Sequence, residues 1–142
     1  MNRYVLASMA TLLFIGGCCS SSMKPMVAQP AANTVTSNDG KFSVYWVPQP
    51  DPIPLNSFFD IKVQILDLSG EAITPDEATL KVDAAMPQHG HGMNHVATVT
   101  PQSDGTWLAT GLLMHMPGDW QLYFDLEMDG ISRRAQTPVV ID

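Results

Sequence analysis

The sequence predicts an all-β domain over residues 39–142, a seven-stranded antiparallel immunoglobulin-like β-sandwich. Three observations predict it. Apolar and polar residues alternate in short runs, the pattern of strands with one buried face. Turn pairs such as Ser69-Gly70, Asp104-Gly105 and Asp129-Gly130 recur between the runs. No stretch of this region reads as a convincing helix. The Cys–Trp–Cys pattern of antibody domains is absent, so an architecture is predicted rather than membership of that family. A domain of about 100 residues buries an adequate core without a disulfide.

Taken in order, the chain opens with a segment outside that fold. Arg3 supplies a short positive region, and residues 5–15 are mostly apolar, too short to span a bilayer. The run Ile15-Gly16-Gly17-Cys18 resembles a bacterial lipoprotein signal, with small residues before a cysteine that is lipidated. Cys18 fits this role better than Cys19, whose preceding residue is itself cysteine. The alternative is an ordinary cleaved secretory peptide with two incidental cysteines. Residues 18–38 are rich in Ser, Ala, Pro, Thr and Asn and read as a flexible tether. The expected location is the cell envelope, lipid-anchored and facing the periplasm or the exterior.

The strands follow. Residues 41–47 are aromatic and β-branched, and the prolines at 48, 50, 52 and 54 then call for an extended surface or edge connection. Residues 58–68 alternate, with Phe59, Ile61, Val63 and Ile65 on one face. Ala78, Leu80, Val82 and Ala84 alternate again, as do Trp120, Leu122, Phe124 and Leu126. Residues 96–100 and 106–113 form a hairpin about Asp104-Gly105, and a last strand ends at Ile141.

Composition narrows the function. Removing residues 1–17 takes away Arg3 and no acid, so the mature net charge is 6 − 14 = −8. That balance argues against nucleic-acid binding, which needs Lys and Arg against phosphate. Both cysteines lie in the signal region, so the folded part has neither disulfide nor thiolate ligand. Any metal site must be built from His, Met and carboxylates.

Such residues are concentrated in two places. Met86-Pro-Gln-His-Gly-His-Gly-Met-Asn-His95 and Met114-His115-Met116 hold all four histidines and four of the nine methionines. The hairpin brings them together. A two-residue turn pairs positions summing to 209, with His95 opposite Met114, and a four-residue loop gives 207, with Met93 opposite Met114. Opposed residues have Cβ atoms roughly 5 Å apart, within reach of a shared ion. A bulge would swap faces.

Imidazole suits Cu(II) and Zn(II), whereas a thioether is soft and favours Cu(I). A His/Met cluster without Cys therefore points to copper ahead of zinc. The expected ligands are His89, His91, His95 and His115, with Met93 and Met116 as thioether partners. A zinc site of His89, His91 and either His95 or His115 is the second choice. Met86, Met114, Trp107 and Trp120 fit core positions equally well. A different expectation is a metal-free interaction module in which the two loops and Trp120 form a docking surface. No nucleophile elbow, phosphate loop or telling carboxylate pair is present, so no enzyme is expected.

The runs Pro54-Leu-Asn-Ser-Phe-Phe-Asp60, Met86-Pro-Gln-His-Gly-His-Gly-Met93 and Gly111-Leu-Leu-Met-His-Met-Pro-Gly-Asp-Trp-Gln-Leu122 resemble the YtkA-like domain family, related to FixH-like proteins. The resemblance covers roughly residues 40–142. It implies a small extracytoplasmic β-sandwich. FixH-like relatives are linked to assembly of copper-containing terminal oxidases, so the partners implied are a copper donor or acceptor protein or an oxidase-assembly factor. Those relatives carry a membrane helix, where this chain has a lipoprotein-type signal.

Overall fold

A computed structural model describes residues 33–142; residues 1–32, with the predicted signal, Cys18 and most of the predicted tether, lie outside the described residues. The described chain forms two antiparallel sheets and one turn of 3-10 helix. There are ten strands rather than seven: β1 Asn33–Thr36, β2 Phe42–Gln49, β3 Phe58–Asp67, β4 Ala72–Ile73, β5 Thr79–Met86, β6 His91–Gly92, β7 Thr98–Pro101, β8 Trp107–Leu113, β9 Gly118–Met128 and β10 Ile131–Ile141. The three unanticipated strands, β1, β4 and β6, have four residues or fewer, too short for alternation to register. β1 lies ahead of residue 39, within the predicted tether. Its polar Asn-Thr-Val-Thr sequence reads as tether, yet it pairs with β2 from Asn33–Trp46 to Thr36–Ser43.

The first sheet runs β1-β2-β3-β8-β7 with β4 on β3, and the second runs β10-β9-β5-β6. They share one core. Val44, Trp46, Ile61 and Val63 from the first sheet meet Val82, Leu122, Phe124 and Leu126 from the second. Trp46 and Phe124 lie with ring centroids 6.2 Å apart across that core. At about 25 cal/mol for each Å² of apolar surface removed from water, this burial holds the two sheets together. Pro48 sits inside β2 after all, paired with Ile61 of β3. Its missing N–H is tolerated because β1 extends only as far as Trp46, leaving that side of β2 without a described partner strand.

Two details position the site. The β7–β8 hairpin pairs Thr98 with Thr110 and Pro101 with Trp107, a sum of 208, so neither expected register is correct. The loop has three residues, Ser103-Asp104-Gly105, with Gly105 at φ 80°. Further along, the β3–β8 register shifts between Phe59 and Ile61, where Asp60 Oδ1 accepts a hydrogen bond from the Gly111 N–H at 3.3 Å. Trp107 and Ala109 are buried before this bulge, and Leu112 and Met114 after it. One extra residue has exchanged the faces of β8.

β2, β5, β8 and β10 finish at the end of the domain where β1, β3 and β9 begin. The sheet-changing connections 93–97 and 114–117 lie there too. Among the described residues no helix is long and apolar enough to cross a membrane.

Candidate metal centre

The site is assembled where β5 stops. Leu80, Val82, Ala84 and Met86 of β5 all point into the core. Pro87 then starts the 3-10 turn, Gly90 closes it at φ 70°, and the Gly90 N–H donates to the Met86 carbonyl at 3.1 Å. Only a residue free of the Cβ penalty enters this left-handed geometry readily. β6 runs back along β5, with His91 opposite Met86 and the Met93 N–H donating to the Ala84 carbonyl at 3.1 Å. Antiparallel partners project to the same face. His91 therefore takes the core side of its sheet at the point where the core ends.

His115 reaches the same place from β8. The bulge leaves Met114 fully buried, and its carbonyl accepts the Asn56 N–H at 2.9 Å. His115 follows at the rim, half-buried. Trp120, fully buried in β9, forms the floor, and its indole Nε1–H donates to the Met116 carbonyl at 3.0 Å. Ring centroids are 5.3 Å apart for His91 and His115 and 5.9 Å for His89 and His91. Trp120 meets His91 at 6.1 Å and His115 at 5.5 Å, nearly perpendicular to both. Two imidazoles holding one ion at 2.0–2.1 Å from nitrogen have centroids about 5 Å apart. The His91–His115 spacing is close to that value, and His89 stands slightly farther out.

Hydrogen bonds sharpen this. His91 Nδ1 lies 3.2 Å from the Gly92 carbonyl oxygen. A carbonyl only accepts, so this contact calls for a proton on Nδ1, and the neutral ring then presents its lone pair at Nε2. This is how a metal-binding histidine is commonly held from behind. His115 Nδ1 is buried with no hydrogen-bond partner among the described residues. An unpaired buried nitrogen costs about 1–3 kcal/mol, and a bound cation is one partner that offsets it. Even so, among the described residues no group of three or more His, Cys, Asp or Glu side chains is set to hold a metal ion.

The remaining predicted residues divide. His95 leaves the cluster and packs edge-on against exposed Phe58, with centroids 4.8 Å apart. Met86 is buried, its methyl lying where a Cβ on Gly118 would come within 3.1 Å, so it is a core side chain. Met93 packs against the core and its sulfur accepts the Leu113 N–H at 3.4 Å. Met116 is 38% exposed. Trp120 has no surface to offer and cannot form part of a docking face. Its place beneath the imidazoles is not legible in the sequence, where its alternation with Leu122 and Phe124 signals only a core position.

No family model matches the chain, and no curated protein matches it. Among solved structures it is similar to the "as isolated" crystal structure of FetP from uropathogenic E. coli strain F11, recombinantly expressed in the periplasm of E. coli BL21(DE3). That likeness has 14% sequence identity and a TM-score of 0.48, covering 80% of this chain and 97% of that chain. A likeness of this size fixes neither family nor activity.

Proposed function

We propose that the protein is a lipid-anchored, envelope metal-binding protein that takes copper through His89, His91 and His115 and buffers or delivers it. Met93 and Met116 are the thioether partners, and zinc is the second metal. The observation that carries this reading is the proximity of the His91 and His115 rings beside buried Trp120, with His89 next to His91 and with a buried His115 nitrogen that has no partner among the described residues. Neutral imidazole and thioether without thiolate are the donor set that favours copper. His95 is left out of the ligand set because it packs on Phe58.

The envelope part rests on sequence: the signal-like run ending at Cys18 and the motif likeness to YtkA-like domains. That likeness also supports the finer description of the fold as an immunoglobulin-like sandwich.

Titration of the metal-free protein with Cu(I), Cu(II) and Zn(II), beside a His91→Ala/His115→Ala double variant, tests the metal. Binding no tighter in the native protein than in the variant would sink the proposal. Loss of membrane association in Cys18→Ser tests the anchor.

A second reading, a metal-free assembly module of an envelope complex, is favoured by the lack of a ready three-ligand group among the described residues and by exposed Phe58 and Val96. Recovery of the same partners with chelator-treated and histidine-substituted protein would support it.

A further inference from the structure

The described residues begin at the same end of the domain as the histidine cluster. Asn33 pairs with Trp46, three residues before β2 ends at Gln49. Gln49 pairs with Asp60, Phe58 with Leu113, and Gly118 with Ile141, so all these chain ends share the site's end of the domain. Fifteen chain steps (33 − 18) lead from Cys18 to Asn33. Fully extended they span at most about 50 Å. The long strands β9 and β10, eleven residues each, make the domain roughly 35 Å tall. An anchor at Cys18 thus meets the histidine end first, and the opposite end reaches the same membrane only by spending most of that span.

The side chains at this end match such a neighbour. Of seven exposed large apolar side chains among the described residues, Leu55, Phe58, Val96, Met116 and Val140 lie here, and Leu68 and Ile131 lie at the far end. Val96, in the 93–97 connection, is 87% exposed. No Lys or Arg occurs in residues 49–60, 86–98, 111–121 or 138–142, whereas Asp51, Asp60, Asp119 and Asp142 do. Cations would draw the surface to anionic lipid, and their absence beside four acids fits a zwitterionic one.

We infer that the histidine end is a docking face for a zwitterionic bilayer surface, so that the metal site opens toward the membrane to which the chain is attached. Leu55, Phe58 and Val96 rest in the headgroup layer and the opposite loops stand away from it. This inference rests on the lipid-anchor reading and not on which metal is bound.

The test is amide hydrogen exchange on the full, metal-free chain, free in detergent-free solution and attached to phosphatidylcholine vesicles. Amides of residues 55–58 and 93–97 are expected to slow by about threefold or more on the vesicle, while those of 68–71 and 129–131 keep their rates. Equal slowing at both ends, or none at either, overturns the inference. Slowing in native membrane vesicles alone, absent on pure lipid, also overturns it and points to a protein neighbour. A Leu55→Ser/Val96→Ser variant should lose the slowing; persistence of the slowing would count against the face. Should cells leave Cys18 unmodified, the anchor reading fails separately. Coupling the Cys18 thiol of a Cys19→Ser chain to maleimide lipid then restores the tether and leaves the docking face testable. Copper titration of the same samples reports on the metal independently.

Discussion

Replacing His115 with phenylalanine separates stability from metal binding. In the metal-free protein His115 Nδ1 is buried without a partner among the described residues. Such a group costs about 1–3 kcal/mol, which an apolar ring of similar shape does not incur. Part of that gain is offset by fitting a slightly larger ring beside Trp120, so a net stabilisation of about 0.5–1 kcal/mol is expected. With about 2.1 cal/mol/K of unfolding entropy per residue over the 110 described residues, 1 kcal/mol corresponds to about 4 °C in Tm. The variant should therefore melt roughly 2–4 °C higher than the native domain in chelator. Copper should reverse the order. At a free concentration 100 times Kd, a ligand that binds only the folded state adds about 2.7 kcal/mol, or roughly 12 °C, to the native protein. The variant should gain little of that. Calorimetry with and without copper reads both numbers. A His115→Phe protein that melts several degrees lower in chelator would refute the unpaired-nitrogen argument. One that keeps the full copper-induced rise would refute His115 as a ligand.

Two further outcomes follow from the methionines and the hairpin. Met86→Ala should cost about 2–5 kcal/mol in urea unfolding, because it empties a core position under Gly118. Met116→Ala, at an exposed position, should change stability by no more than about 0.5 kcal/mol and weaken Cu(I) more than Cu(II) in competition titrations. The hydrogen bond from Lys62, with help from Thr106, lowers the Asp104 carboxyl to about 2. Because the folded value is depressed, the stabilisation is complete above the unfolded value of about 3.9 and is lost as pH falls toward 2. Both groups are wet, so Asp104→Asn should flatten that acid limb by no more than about 1 kcal/mol, measured by urea unfolding between about pH 2 and pH 5.

The sequence carries the long strands plainly, because β3, β5 and β9 keep one face apolar over eight or more residues. It also carries the meeting of the two histidine segments, since β8 must return beside β7. What it does not carry is phase. Asp104-Gly105 suggests a two-residue turn, but Gly105 occupies the left-handed place at the end of a three-residue loop. Asp104 Oδ1 accepts the Thr106 N–H from within that loop, a contact no spacing rule reveals. Likewise β6 is two residues long and owes its place to Gly90 and to pairing with Met86. His91 was therefore legible as a candidate, but its core-side direction was not. His95 was grouped with the others by proximity in sequence, although after Met93 the chain is already crossing to the other sheet.

The bulge beside Asp60 divides β8 into two halves that count differently. Odd-numbered residues face inward before it, at Trp107 and Ala109, and even-numbered ones after it, at Leu112 and Met114. The bulge is what reconciles the two counts. Were Gly111 kept and the strand paired without a bulge, odd-numbered residues would face inward to its end. The position that now carries Met114 as an apolar plug would then fall to His115, and the thioether would turn outward. Deleting Gly111 removes the surplus residue itself, so Leu112 keeps its place opposite Phe59 and Met114 stays inward by plain alternation. Such a deletion should leave the copper-induced rise in Tm and the β7–β8 turn intact. Whether this end of the domain presents imidazoles or buries one is thus decided by looping one residue without a side chain out of the count.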